Sequence, residues 1–309
     1  MSDLINKRLK YSREMIKQFS RVNNISDDLK DILELAFFGM FSYYGEEAID
    51  ELYLAFLKTK FISTDDSIVK LLADKRFLSD ANVKFLLSHT PGVFYDVTGY
   101  ECVDKERKRT YKFDRYVYVQ NNGEFDKEQL VRGVIHQVNH VLTSIHNPII
   151  SSQGKLAARM GMSYDRLLTR EASHFHIEEA VNKLQVEDMM SEIYSFDVSQ
   201  IEDEDIRRNV LDFITVPRRE VEDDDITSII RPLYKDDFFN ALLVDKRISG
   251  RLNSIREEFD FYTEVGDYAT LLEACSLIGT TKDEGEKEKA KDTAKQLVKK
   301  YIEAGYGDN

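Results

Sequence analysis

The sequence predicts a helix-rich α+β fold, and three observations carry that prediction. Apolar residues recur at three- and four-residue spacings through most of the chain, as amphipathic helices require. Two runs within residues 93–120 are instead rich in Val, Tyr, Phe and Thr and flank a charged turn, the pattern of an antiparallel strand pair. Residues 126–146 then read DKEQLVRGVIHQVNHVLTSIH, a helical pattern with His136 and His140 four apart. These changes of texture divide the chain into an N-terminal helical region, 1–90, a mixed core, 91–195, and a C-terminal helical region, 196–309.

Taken in order, the stretch DDLKDILELAFFGMFSYYGEEAIDELYLAFLKTKF has the clearest helical period of the first region and reads as core. Pro91-Gly92 punctuates the chain. VFYDVTGYECVD and TYKFDRYVYVQ come next as two strands around KERKR, closed by Asn121-Asn122-Gly123. The edge of such a sheet can accept an extended peptide by β-addition. Asp126 and Gln129 form a capping-box pair for the histidine helix, and Phe125 can staple onto Leu130. Asn147-Pro148 ends that helix, and ISSQGKLAARMGMSYDRLLTR reads as a loop or short helix. EASHFHIEEAVNKLQVEDMMSEIYSF is a second helix, with Ile177, Ala180, Val181 and Leu184 on one stripe. Beyond it, acidic linkers such as IEDED and EVEDDD alternate with further helices, and a charged amphipathic helix with a loose tail closes the chain.

With 42% apolar and 11% aromatic residues in 309, the chain can build a sizeable core. A net charge of −13 and a pI near 5.1 argue against nucleic acid or an anionic membrane as partner, since both repel such a surface. No apolar run reaches the length of a membrane span, and MSDLINKRLKYSREMIKQFS lacks the apolar centre of a signal peptide. A cytoplasmic location, or export without a classical signal, is therefore expected. Cys102 and Cys275 are too few for a disulfide framework, and neither has metal-ligand spacing.

At roughly 100° per residue, Leu130, Val131, Val134, Ile135, Val138, Val141, Leu142 and Ile145 fill one arc of the histidine helix. His136 and His140 stand outside it, beside Gly133, Thr143 and Ser144, where packing does not require them. Imidazoles at i and i+4 project from one face about a turn apart and can bind one zinc ion. A zinc site with one open position needs a third protein ligand. His146 lies six residues past His140, the spacing of H-E-x-x-H-x-x-G-x-x-H, but Thr143 stands where that pattern uses glycine to turn the chain back. A glutamate on the second helix is the other candidate.

The segments VIHQVNHVLTS, GKLAARMGMSYDRL and HFHIEEAVNKLQVEDMM resemble gluzincin-type zinc metallopeptidases, most of all bacterial members, over about residues 93–195. The resemblance implies a zincin-like core: a small antiparallel sheet, an active-site helix and a second helix bearing a ligand. It also implies a zinc-dependent endopeptidase whose partner is a protein or peptide substrate, with Glu179 as third ligand. Ala180 replaces the family's glycine and Asn182-Lys183 its Thr-Glu, so Glu178 stays open as the alternative. Such a site needs a donor for the oxyanion, and Tyr164, in the loop between the two helices, is the candidate, with His174 and His176 close in sequence. Asn139, Asp165 and Glu171 are candidates to orient a ligand histidine. One departure bears on chemistry. Gln137 stands where these enzymes carry the glutamate that accepts a proton from metal-bound water, and an amide is not basic near neutral pH. The chain is thus expected to hold zinc and hydrolyse little, either through an engineered exchange or as a natural pseudoprotease. A helical interaction protein with incidental histidines is the alternative from another class.

Overall fold

A computed structural model of the chain describes residues 2–23, 25–65, 92–105, 108–143, 149–150, 156–160, 163–166, 171–173, 175–249 and 265–304. They fall into two compact units, Met1–Leu142 with Gln185–Glu220 and Thr143–Leu184 with Val221–Asn309. The segment 91–195 is thus shared between units. At a coarse level the architecture is the expected one, helix-rich α+β.

The first unit opens with α1 (Ser2–Asn23), α2 (Asp27–Tyr44) and α3 (Ile49–Leu57). Phe19, Phe37, Phe38 and Phe56 from these helices are fully buried in its core. Then comes a strand where the sequence predicts continuing helix: β1 (Thr59–Thr64). Two bonds end α3, from Lys58 N–H to the Leu54 carbonyl at 3.0 Å and from the Thr59 hydroxyl to the Ala55 carbonyl at 2.7 Å. Phe61 then turns inward against Phe19, with ring centroids 5.7 Å apart. The helical reading of residues 66–90 lies outside the described residues.

The expected strand pair is present as β2 (Val93–Lys105) and β3 (Lys108–Gln120), antiparallel with a register shift between Thr98 and Tyr100. β1 joins β3 in parallel, giving the order β1-β3-β2. Gly92 and Gly123 supply the left-handed turns before β2 and after β3, at φ +82° and +81°. Next is α4 (Lys127–Thr143), whose capping box is as read: Gln129 N–H donates to Asp126 Oδ1 at 2.9 Å, and Asp126 N–H to Gln129 Oε1 at 3.1 Å. Phe125 packs on the core that contains Leu130. Asn147-Pro148 lies outside the described residues.

In the second unit the segment read as loop or short helix, together with Glu171–Ser173 from the stretch read as the start of the second helix, forms a four-stranded antiparallel sheet of β4 (Ile149–Ile150), β5 (Leu156–Met160), β6 (Ser163–Arg166) and β7 (Glu171–Ser173). LAARM has high helix propensity, and cross-strand pairing overrides it. The long helix α5 (Phe175–Tyr194) comes after it, with Ile177, Ala180 and Val181 in this unit's core and Val186, Met189, Met190 and Ile193 in the first unit's core. The first unit ends with α6 (Glu204–Ile214); the second adds α7 (Asp225–Lys235), α8 (Asp237–Ser249), α9 (Tyr268–Thr280) and α10 (Glu284–Ala304). Acidic residues of the linkers cap helices: Asp203 accepts from Asp205 and Ile206 N–H, and Asp224 from Thr227 N–H. Among the described residues no helix is long and apolar enough to cross a membrane.

Candidate metal centre

From Leu130 to Thr143 every residue of α4 is buried, including the side read as free of packing. His136 is 4% exposed, Gln137 4% and His140 2%. Gly133 explains part of this. A Cβ there would lie 2.5 Å from Val93 Cγ2, so glycine lets the α4 backbone press against the start of β2. One turn on, Gln137 Nε2 donates to the Val93 carbonyl at 3.5 Å, a long contact. A carboxylate at 137 would set one acceptor against another.

Within the first unit α4 and α5 are joined at two levels. Arg132 pairs with Glu128 at 2.6 Å and with Glu187, and Asn139 Nδ2 donates to Gln185 Oε1 at 3.1 Å. Partner numbers fall along α5 as they rise along α4, so the helices run antiparallel there. The boundary between units at Leu184/Gln185 falls inside α5, which continues unbroken to Glu179, about 9 Å along its axis from Gln185.

The ligand atoms of His136, His140 and Glu179 lie within 4.8 Å of one another. The two Nε2 atoms are 3.1 Å apart, with ring planes at 78°. Tetrahedral zinc with bonds of about 2.0–2.1 Å holds neighbouring ligand atoms about 3.3 Å apart, so the imidazole pair fits such an ion. Two nitrogens and one carboxylate oxygen suit zinc or another first-row ion better than calcium or magnesium. Glu179 is 2% exposed, so its carboxylate, like the two imidazoles, is held away from water.

Of the other candidates, Glu178 is fully buried but does not belong to the three-residue group. His146 and His174 lie outside the described residues. Tyr164 sits in a strand, not a loop, paired with Arg159 and Ser173; its side chain is not among the parts described. Asp165 and Glu171 are strand residues of the same sheet. His176 stands in the first turn of α5, its ring over Gly279, where a Cβ would approach within 2.4 Å. Asn139 belongs to a polar contact that sequence reasoning missed. Its Oδ1 accepts from the Tyr44 hydroxyl at 2.5 Å, and Gln185 Nε2 donates to that same hydroxyl oxygen at 3.3 Å.

Comparison with protein-family models, with curated proteins and with solved structures finds no match to this chain.

Proposed function

We propose that this chain is a metal-binding protein of zinc-peptidase design, in which His136, His140 and Glu179 hold the ion and Gln137 occupies the place of the general base. The observation that carries the reading is the convergence of two imidazoles and one carboxylate within 4.8 Å. The resemblance over residues 93–195 supports the reaction class, hydrolysis of a peptide bond. Bound there, zinc supplies Lewis acidity and a water acidic enough to attack a carbonyl at neutral pH. The chain's own groups limit that chemistry. Gln137 is about 60° round α4 from His140; its amide can hold an oxygen by donating to it but takes no proton. Protein or peptide hydrolysis is therefore slow in the chain as it stands.

A second reading, a metal-binding protein without hydrolytic activity, is favoured by the bond from Gln137 to the Val93 carbonyl, which an amide makes and a carboxylate does not. The variant Gln137→Glu separates the two. Cleavage of a broad peptide library is monitored in both forms at matched zinc occupancy, with a chelator control. A gain of about 10²- to 10⁴-fold is expected. Absent cleavage in both forms selects the non-hydrolytic reading, and equal, chelator-sensitive cleavage in both removes Gln137 from the base position.

A further inference from the structure

We infer that Tyr44, Asn139 and Gln185 are positioning residues for the His–His–Glu group, a closed ring of three hydrogen bonds that sets the register of α5 along α4. The inference rests on the metal-binding function proposed for the chain. Tyr44 is the last residue of α2, and its hydroxyl donates to Asn139 Oδ1 at 2.5 Å. Asn139 Nδ2 donates to Gln185 Oε1 at 3.1 Å, and Gln185 Nε2 returns to the Tyr44 oxygen at 3.3 Å. Donors and acceptors alternate round the ring, so flipping one amide alone sets like against like. Asn139 and Gln185 are fully buried.

Each member of the α4–α5 pair reaches the metal group through its own helix. Asn139 is the neighbour of His140 in α4, and Gln185 stands six residues after Glu179 in α5. A slip of α5 by one residue moves Glu179 about 1.5 Å along the axis and turns it about 100°, away from the histidines. Val186, Met189, Met190 and Ile193 form one stripe of α5 in the first unit's core and fix which face of the helix turns inward. The hydrogen-bonded ring adds a directional polar contact to that apolar stripe and so sharpens the register. Gly39 brings α2 close enough to contribute, since a Cβ there would lie 3.0 Å from both the Met189 carbonyl and Ile193 Cδ1 on α5.

The test measures zinc affinity by chelator competition and the visible spectrum of the cobalt(II)-loaded protein, for the parent and for Tyr44→Phe, Gln185→Met and the exchanged pair Asn139→Gln with Gln185→Asn. Tyr44→Phe keeps the ring packing and removes only the hydroxyl, so it guards against simple misfolding. Zinc affinity should fall about tenfold in Tyr44→Phe and up to about a hundredfold in Gln185→Met, with altered cobalt absorption in both. The exchanged pair, which conserves total side-chain reach, should restore part of both signals. Parent-like affinity and an unchanged cobalt spectrum in both Tyr44→Phe and Gln185→Met, even with a lowered melting temperature, would reduce the ring to packing and overturn the inference alone. A parent that takes up neither metal overturns the metal reading and this inference with it.

Discussion

Glu128, Glu178 and Glu179 on α4 and α5, and the acids that begin the C-terminal helices, are the same chemical groups in opposite surroundings. The first three are at most 2% exposed, and Glu128 pairs with Arg132 one turn along its own helix. Asp203, Asp224 and Asp283 remain at the surface and accept from backbone N–H groups of their own helices, two or three residues on. A capping acid is stabilised wherever its helix forms. A buried one is tolerated only where a cation or hydrogen-bond donors reach it. The acidity of the chain therefore has two meanings, helix initiation outside and compensated charge inside, and each can be tested separately.

The largest effect on stability should come from Arg132→Met. It leaves Glu128, whose side chain is fully buried, without its 2.6 Å guanidinium partner, at an expected cost of about 3–5 kcal/mol, read as a shift of the urea midpoint. A cost below about 1 kcal/mol would erase the contrast between inner and outer acids. Next is Glu179→Gln, which keeps shape and removes charge: zinc affinity should weaken at least about tenfold while Glu178→Gln leaves it closer to the parent. The reverse order would move the ligand by one residue. Asp224→Ala, losing the bond to Thr227 N–H at 2.8 Å, should cost about 1 kcal/mol in thermal or urea unfolding.

Asp126 sharpens the comparison through pH. Burial alone would raise its carboxyl, but the Gln129 N–H and the Arg219 guanidinium outweigh burial and hold it below the ordinary value. A depressed carboxyl stabilises fully above the unfolded value, about 3.9, and loses that contribution as pH falls through the folded one. The stability gap between parent and Asp126→Asn should thus be constant near neutrality and close below about pH 4. The smallest effect belongs to Arg208→Ala. It breaks an exposed pair with Asp205 at 2.6 Å and should change stability by less than about 0.5 kcal/mol.

Legibility in the sequence divides in the same way, near from far. The Asp126–Gln129 capping box, the buried stripe of α4 and the β2–β3 pair are local patterns, and they appear as read. β1 was not legible, because its partner β3 is parallel and distant: Thr59 pairs with Arg115. The β4–β7 sheet is hidden by the shortness of its strands, two to five residues each, and by the helix-favouring LAARM of β5. In the proposed metal group, helical spacing points to His136 and His140, and only the family resemblance points to Glu179. The face of α4 that carries the histidines reads as free because periodicity reports apolar residues, whereas this face is made of polar residues and a glycine, and the valine packed on Gly133, Val93, comes from β2. Tyr44 gave no signal at all. Its bond to Asn139 spans 95 positions and its bond to Gln185 spans 141.

The proposed site requires one ion held by His136, His140 and Glu179. Elemental analysis of the purified parent beside His136→Ala and His140→Ala, after dialysis against trace zinc, measures this directly. One zinc per chain in the parent, with its loss in both variants at retained helical circular dichroism, is the predicted result. A parent without zinc, or a full complement of zinc in both variants, would contradict it.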